Sequence, residues 1–99
     1  MSASSPEELE TLLEDAVLMG DQTAVAGLFH QGGLLIAGLR SAGPERALDE
    51  LARLEYVAGT TGTVWNDVAV FVGADTVNVS LRASDGAWRL IAAVLRTRA

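Results

Sequence analysis

Asp67 is the side chain in this sequence with the strongest claim to acid–base chemistry. It follows Asn66 inside an apolar segment that contains Trp65 and Phe71. If the carboxylate shares the face of those two aromatic rings, burial raises its pKa and makes it a candidate general base. The alternative is an aspartate at a bulge or strand end that accepts hydrogen bonds from nearby backbone N–H groups. The sequence leaves both interpretations open.

Tyr56 and His30 are the candidate proton donors. Tyr56, near the end of a predicted helix, could offer its phenol to a ligand, or it could simply be part of the core. His30 is the single histidine and precedes Gln31-Gly32-Gly33, so it is either an acid–base group or a solvated turn residue. One histidine without any cysteine excludes thiolate catalysis, disulfides and histidine- or cysteine-based metal centres. We therefore predict no metal and no cofactor.

The composition predicts a soluble single domain. The chain has 99 residues, of which 49% are hydrophobic and 20% charged, and no apolar run approaches the roughly 20 residues that span a bilayer. A net charge of -6 opposes binding to nucleic acid. The amino terminus lacks the basic start and apolar stretch of a secretory signal, so we expect a cytoplasmic protein. Residues 1–5 are predicted to be a disordered tail, and residues 6–99 a single domain.

Three helices are predicted in the first half of the chain. Ser5, Pro6 and Glu8 have the spacing of a capping box with proline at the first helical position, so the first helix begins there and ends at Gly20. Its core-facing stripe is Leu9, Leu12, Leu13, Ala16 and Val17, and its acidic residues, Glu10 and Glu14 among them, are interpreted as a solvated face. A second helix begins after Asp21, and a third begins at Pro44 and ends near Gly59.

Four strands are predicted. Residues 34–37 form a short glycine-bounded apolar segment, and from Thr60 to Val72 the period changes to two. Two turns, at residues 73–75 and 84–86, then separate the strands over residues 76–82 and 88–95. In the strand over residues 76–82 we expect the polar side, which carries Asn78 and Ser80, to face solvent or an interface rim. Because the later strands are apolar on both faces, the uncovered side of the sheet is predicted to meet a second copy in a homodimer.

Two short segments carry a resemblance to a known family. They are Met19-Gly20-Asp21 followed by Leu28-Phe29-His30, and Asp85-Gly86-Ala87-Trp88-Arg89 at the start of the last strand. With the order of elements from about residue 6 to residue 96, the chain resembles the nuclear-transport-factor-2-like superfamily, which includes SnoaL-like and ketosteroid-isomerase-like proteins. The resemblance implies an α+β cystatin-like cone: a curved, mostly antiparallel sheet whose concave side holds three helices and an apolar pocket.

The resemblance also implies where catalytic groups would stand. Ketosteroid-isomerase-like members use a tyrosine on the first helix and an aspartate base on a strand. Those positions correspond here to Leu13 and to Ile36 or Ala37, which are apolar. SnoaL-like cyclases pair a histidine with an aspartate, and His30 with Asp67 could supply those types.

Two functions therefore remain open. The first is a noncatalytic or small apolar ligand-binding homodimer. The second is a small-molecule isomerase, cyclase or dehydratase with Asp67 as base and His30 or Tyr56 as acid, which requires these groups to converge within about 3–3.5 Å of one reacting atom. The predicted pocket lining is Leu13, Val17, Ile36, Tyr56, Trp65 and Phe71.

Overall fold

The structure is a computed structural model that describes residues 2–54 and 56–96. Within these residues the helices are α1 (Pro6–Met19), α2 (Gln22–Gly27) and α3 (Ala47–Arg53), with a 3-10 turn at Pro44–Arg46 before α3. The strands are β1 (Phe29–Ala37), β2 (Arg40–Ala42), β3 (Thr61–Trp65), β4 (Val68–Val72), β5 (Thr76–Arg82) and β6 (Trp88–Leu95). No helix of the described residues is long and apolar enough to cross a membrane.

Helix α1 begins and ends where its capping residues dictate. The Ser5 hydroxyl accepts a hydrogen bond from the Glu8 backbone N–H at 3.1 Å, with Pro6 at the first helical position. Gly20 closes the helix in the left-handed conformation, with φ of 66°. The stripe formed by Leu9 and Leu13 is fully buried, so α1 lies over the sheet as the periodicity predicts.

The strands form one six-stranded sheet in the order β2-β1-β6-β5-β4-β3. All neighbouring pairs are antiparallel except β1 and β6, which are parallel. The sheet is curved and its concave side holds the three helices of the described chain, which confirms the predicted α+β cone.

The strand count differs from the sequence prediction. Residues 61–72, predicted as one strand, form the hairpin β3–β4 with a two-residue turn at Asn66 and Asp67. Asn66 has φ of 54°, a left-handed conformation that asparagine tolerates better than most residues. The strand predicted at residues 34–37 begins earlier, at Phe29, and β2 is an addition. Helix α3 ends at Arg53, well before Gly59.

Ala3 and Ser4, which belong to the predicted disordered tail, contact the rest of the chain. Ala3 is 1% exposed and forms an isolated bridge with Trp88, whose backbone N–H donates to the Ala3 carbonyl at 2.9 Å. The Ser4 backbone N–H donates to Glu8 at 2.8 Å. Pairing of Ala3 with the last strand gives this segment the buried contacts that a tail lacks.

The two faces of the sheet carry different side chains. The register places Leu35, Ala93, Asn78 and Phe71 in one row on the inner face, under the helices. The outer face points away from the helices and carries three rows. These rows are Ile36, Val94, Val77, Val72 and Thr61, then Leu34, Ala92, Val79, Val70 and Thr63, and last Arg89, Leu81, Val68 and Trp65.

Candidate functional site

A buried carboxylate, that of Glu10, lies between α1 and the inner face of the sheet. Glu10 is 4% exposed. Its Oε1 accepts hydrogen bonds from the Gly59 backbone N–H at 2.9 Å and from Asn78 Nδ2 at 3.0 Å, and its Oε2 is also 3.0 Å from Asn78 Nδ2. Three elements that are distant in sequence therefore meet at one carboxyl group: α1, the segment that leads into β3, and β5.

Tyr56 and Asn78 complete the network around Glu10. The Tyr56 hydroxyl donates to Glu10 Oε1 at 3.4 Å and accepts from Asn78 Nδ2 at 2.7 Å. Asn78 Oδ1 accepts from the Thr76 hydroxyl at 3.3 Å. We call Glu10, Tyr56, Asn78 and Thr76 the inner polar network; all four are buried. Within the described residues no buried side-chain N or O atom lacks a hydrogen-bond partner.

A second carboxylate of α1 extends the same arrangement toward the surface. Glu14, one helical turn after Glu10, accepts a hydrogen bond from the Ala58 backbone N–H at 2.7 Å. Two successive backbone N–H groups, at Ala58 and Gly59, thus donate to two successive carboxylates of one helix. These bonds hold the segment between α3 and β3 against α1, because charge-assisted hydrogen bonds are the stronger class.

Burial perturbs both titratable groups of the network. Desolvation, the largest effect, raises the pKa of Glu10, whereas hydrogen bonds from Asn78, Gly59 and Tyr56 oppose that rise. Desolvation also raises the pKa of Tyr56, and the negative charge of Glu10 adds to the effect. The Tyr56 phenol therefore keeps its proton at every physiological pH and acts as a donor to the carboxylate.

Chemically, the inner polar network is a carboxyl group with a perturbed pKa beside a neutral phenol. Such a pair can move a proton at a bound ligand when the ligand reaches one of its oxygens. In this arrangement the carboxylate oxygens are occupied by donors from Gly59, Asn78 and Tyr56, so a ligand would have to displace one of them. The geometry is that of a structural link between helix and sheet.

Asp67, the predicted base, lies in the β3–β4 turn and its side chain is 61% exposed. Its Oδ1 accepts from Arg82 Nε at 2.8 Å and forms an ion pair with the same guanidinium. Its backbone carbonyl accepts from the Arg82 N–H at 2.9 Å. This is the strand-end alternative considered from the sequence: a turn places Asp67 outside the strand and away from the face of Phe71.

His30, the predicted acid, is part of β1 and is half-buried, with Nδ1 2.9 Å from the Gln31 carbonyl oxygen. Strands β6 and β5 separate β1 from β4, so His30 and Asp67 are at least three strand spacings apart, roughly 14 Å. The structure does not bring these two side chains together at one reacting atom.

The six predicted pocket residues divide between two surfaces. Leu13, Tyr56 and Phe71 belong to the buried core, and Val17 packs against it. Ile36 and Trp65 instead lie on the outer face of the sheet, where they are 36% and 75% exposed. The alternation predicts the inward side of Phe71 correctly, but the turn at residues 66 and 67 reverses the chain, so Trp65 is on a different strand.

The surface of the described chain also has a groove of about 290 Å³ between β2 and α3. It is lined by Arg40, Ser41, Ala42, Arg46, Asp49 and Glu50. None of these residues belongs to the predicted pocket, and Glu50 is neutralised by ion pairs with Arg40 and Arg53. Among the described residues there is no group of three or more histidine, aspartate or glutamate side chains that could hold a metal.

Glu10 and Asn78 are the site residues that the sequence interpretation missed. It includes Glu10 in the solvated acidic face of α1 and Asn78 in a polar strand side that faces water. A signal for Glu10 is nevertheless present: it stands four residues after Pro6 and three before Leu13, both of which are buried. Asn78 lies on the polar side of β5, and that side faces inward, where Asn78 bonds to the carboxylate of Glu10.

Comparison with known proteins identifies the fold. No protein-family model matches the chain, and no curated protein matches its sequence. Among solved structures, the chain is similar to a candidate calcium/calmodulin-dependent protein kinase type II association domain from Thiobacillus denitrificans ATCC 25259. The TM-score is 0.73 at 13% identity, over 100% of this chain and 99% of that one.

Two further similar structures support the same fold. A candidate ketosteroid isomerase from Shewanella frigidimarina NCIMB 400 has a TM-score of 0.64 at 18% identity, covering 87% of this chain and 89% of that one. An NTF2-like protein with a cystatin-like fold from Novosphingobium aromaticivorans has a TM-score of 0.66 at 17% identity, covering 90% and 77%. The chain therefore has the NTF2-like, cystatin-like cone fold that its sequence resembles.

Proposed function

We propose that this chain is a noncatalytic association domain that forms a cytoplasmic homodimer through the outer face of its sheet. The observation that carries the proposal is an inversion of polarity on β5. Its polar side chains, Thr76, Asn78 and Ser80, are buried under the helices, whereas Val77 on the other side is 38% exposed. A strand that hides its polar side and shows its apolar side favours a second apolar surface against it.

The apolar outer face continues across four strands, β1, β6, β5 and β4, and its first two rows end on β3 at Thr61 and Thr63. Val77 pairs with Val72 on one side and with Val94 on the other, and Val94 pairs with Ile36. These four side chains are each between 36% and 44% exposed, so the row is open to solvent in the single chain. The row below it is apolar from Leu34 to Val70.

The size of this face sets the expected affinity. Five strands at about 4.8 Å spacing and three rows of side chains cover roughly 19 by 13 Å between Cα atoms. That area, about 250 Å² with Thr61, Thr63 and Arg89 included, is below the roughly 300–600 Å² of the largest apolar patches of soluble monomers, which often mark interaction sites. It is smaller than the roughly 800 Å² per partner of a standard stable interface, so flanking residues must contribute and we expect a reversible dimer in the micromolar range.

Two further observations support a noncatalytic role. His30 is in β1 and Asp67 is in the β3–β4 turn, on the far side of β6 and β5, and Asp67 forms an ion pair with Arg82. In addition, one solved structure of the same fold is described as a candidate calcium/calmodulin-dependent protein kinase type II association domain. A small apolar ligand remains part of the proposal only for the inner side of the cone, beside Leu13, Val17, Tyr56 and Phe71.

Val77→Lys tests the homodimer, with Leu39→Lys as the matched control. Both substitutions place the same charge at an exposed apolar position, but Leu39 is in the β1–β2 turn, outside the outer face. Sedimentation equilibrium over micromolar concentrations should give the same mass, above that of one chain, for the parent and for Leu39→Lys, and a lower mass for Val77→Lys. A parent protein that is monomeric throughout this range would contradict the proposal.

A further inference from the structure

The outer edge of β3 is an unpaired sheet edge whose geometry is defined by its hairpin. Trp65 and Val68 flank a two-residue turn, so they form a hydrogen-bonded pair, and the alternation gives Thr63 and Thr61 the same inward bonding to β4. The bonding of β4 to β5 is consistent with this alternation. The Gly73 N–H donates to the Thr76 carbonyl at 2.9 Å, so the preceding residue, Val72, directs its backbone groups toward β3.

The backbone groups of Gly62 and Val64 consequently point away from the sheet. In an antiparallel ladder, a residue whose N–H and C=O do not face one neighbour presents them to the opposite side. On that side of β3 the part of the chain that the structure describes provides no strand. Two N–H and two C=O groups thus stand ready to pair with another strand.

This edge lacks the features that normally prevent pairing. Its five residues, Thr61 to Trp65, are all exposed and include neither a charged residue nor proline. Folded proteins usually protect edge strands with charges, proline, bulges or very short length. The opposite edge follows that pattern, because β2 has three residues and begins with Arg40.

We propose that β3 pairs antiparallel with β3 of a second copy of this chain, about a two-fold axis at Thr63. In that register Gly62 lies opposite Val64 of the other copy and Val64 opposite its Gly62. Both pairs have their N–H and C=O groups directed at each other, which gives four backbone hydrogen bonds across the junction. Thr63 lies opposite its own copy in the non-hydrogen-bonded position between them.

A second copy is the occupant because the segment complements itself. Its outward groups are symmetric about Thr63, a threonine pair directly opposite is a favourable cross-strand pair, and Thr61 would lie beside Trp65 of the other copy. The pairing also continues the outer face, since the rows that end at Thr61, Thr63 and Trp65 join the rows that end at Trp65, Thr63 and Thr61 of the second copy. The inference does not depend on the homodimer proposed above, because it uses backbone groups at an edge and not the outer face.

Cysteine cross-linking tests the register, and the chain contains no cysteine of its own. Thr63→Cys places two sulfurs at the two-fold axis, where Cα atoms of a non-hydrogen-bonded pair are about 4.5 Å apart, within the range that a disulfide spans. Thr61→Cys is the matched control: it is on the same face of the same strand, but the register separates the two copies of it by about 13 Å. Under mild oxidation the Thr63 variant should form a covalent dimer roughly tenfold faster or more.

Repeating the cross-linking in the Val77→Lys background separates the two interfaces. Rapid linkage of Thr63→Cys in that background supports pairing at the edge, whatever happens to the outer-face dimer. Equal and slow linkage of both cysteine variants overturns the inference. This is also the result expected if β3 pairs with a segment of a different protein. If Val77→Lys lowers the mass but Thr63→Cys is not linked faster than Thr61→Cys, the outer-face homodimer is supported and the pairing of β3 edges is refuted.

A backbone substitution gives an independent measurement. Val64→Pro removes the outward N–H without removing a bond to β4, and Val64→Thr keeps the N–H with a similar side-chain shape. We expect the proline variant to lose the preferential linkage at residue 63 and the threonine variant to retain it. Circular dichroism checks that the proline variant is folded; unchanged linkage in a folded Val64→Pro variant also overturns the inference.

Discussion

The buried carboxyl of Glu10 should make the stability of the protein depend on pH. Compared with the Glu10→Gln variant, the parent protein should become less stable as pH rises. Glu10→Gln keeps the shape of the side chain and one acceptor oxygen for Gly59 and Asn78, but removes the proton equilibrium. Burial raises the pKa of Glu10 in the folded chain. A raised pKa means that the folded protein binds a proton more tightly than the unfolded chain does.

The sign follows from that difference in proton affinity. In the unfolded chain the pKa of a glutamate is about 4.3. Below that pH the Glu10 carboxyl is neutral in both the folded and the unfolded state, and its favourable contribution to the unfolding free energy is fully present. As pH rises through the folded pKa this contribution is lost, because the ionised group must stay in a desolvated site. The loss levels off above the folded pKa, and each pH unit that separates the folded and unfolded pKa values corresponds to about 1.4 kcal/mol.

Urea unfolding of both proteins between pH 4 and pH 8, at one fixed protein concentration, measures the effect. The quantity is the unfolding free energy of the parent minus that of Glu10→Gln, which removes contributions that both proteins share. We expect this difference to fall with increasing pH. A flat difference would refute the dominance of desolvation, and a rising one would mean that the hydrogen bonds from Asn78, Gly59 and Tyr56 outweigh it.

Tyr56→Phe is the companion variant for this experiment. It keeps the Glu10 carboxyl and removes a donor that favours the ionised form. The pKa of Glu10 should then rise further, so the unfolding free energy of Tyr56→Phe should fall more steeply with pH than that of the parent. The removed hydroxyl also accepts from Asn78, so a loss of about 1–3 kcal/mol is expected at every pH.

Two further pairs of variants test the packing that positions the site. Leu13→Ala in the core should lower the unfolding free energy by about 2–5 kcal/mol, whereas Leu18→Ala on the same helix, at a position 77% exposed, should change it by less than about 0.5 kcal/mol. Gly62→Ala would place a methyl group against the Phe71 ring, closer than a van der Waals contact, and should cost about 1–3 kcal/mol. Gly27→Ala, in α2 with open space around it, should instead stabilise by about 0.4–1 kcal/mol. Thermal unfolding measures all four, and equal shifts within either pair would contradict the packing.

The parts of the fold that the sequence predicts are those set by local chemistry. The capping residues of α1, Ser5 and Gly20, fix its ends, and the Asp85-Gly86 turn correctly separates β5 from β6. The β3–β4 hairpin is not predicted because apolar residues stand on both sides of Asn66 and Asp67, so the alternation looks continuous. Asparagine before aspartate is itself a turn signal, but the period of two across it is the more extended pattern.

The candidate site could not be predicted in the same way because its contacts are distant in sequence. Glu10 and Asn78 are 68 residues apart, and each is polar in a position where polarity usually means exposure. Periodicity assigns the polar side of a helix or strand to solvent by default. It cannot show that two polar sides face each other across the interior, which is the case for α1 and β5.

That mutual burial links the inner polar network to the outer face. A strand has two sides, so once Asn78 and its neighbours point inward to satisfy Glu10, Val77 and Val79 must point outward. A one-residue shift of register would restore an ordinary amphipathic strand, but it would leave the Glu10 carboxylate buried without Asn78. The shift would bury Val77 and Val79, at about 1.5–3 kcal/mol each, but Glu10 and Tyr56 would both lose the buried Asn78 donor, at about 1–3 kcal/mol or more for each group. The hydrogen bonds of the interior thus oppose the shift, and the apolar surface available for association is coupled to the carboxylate in the core.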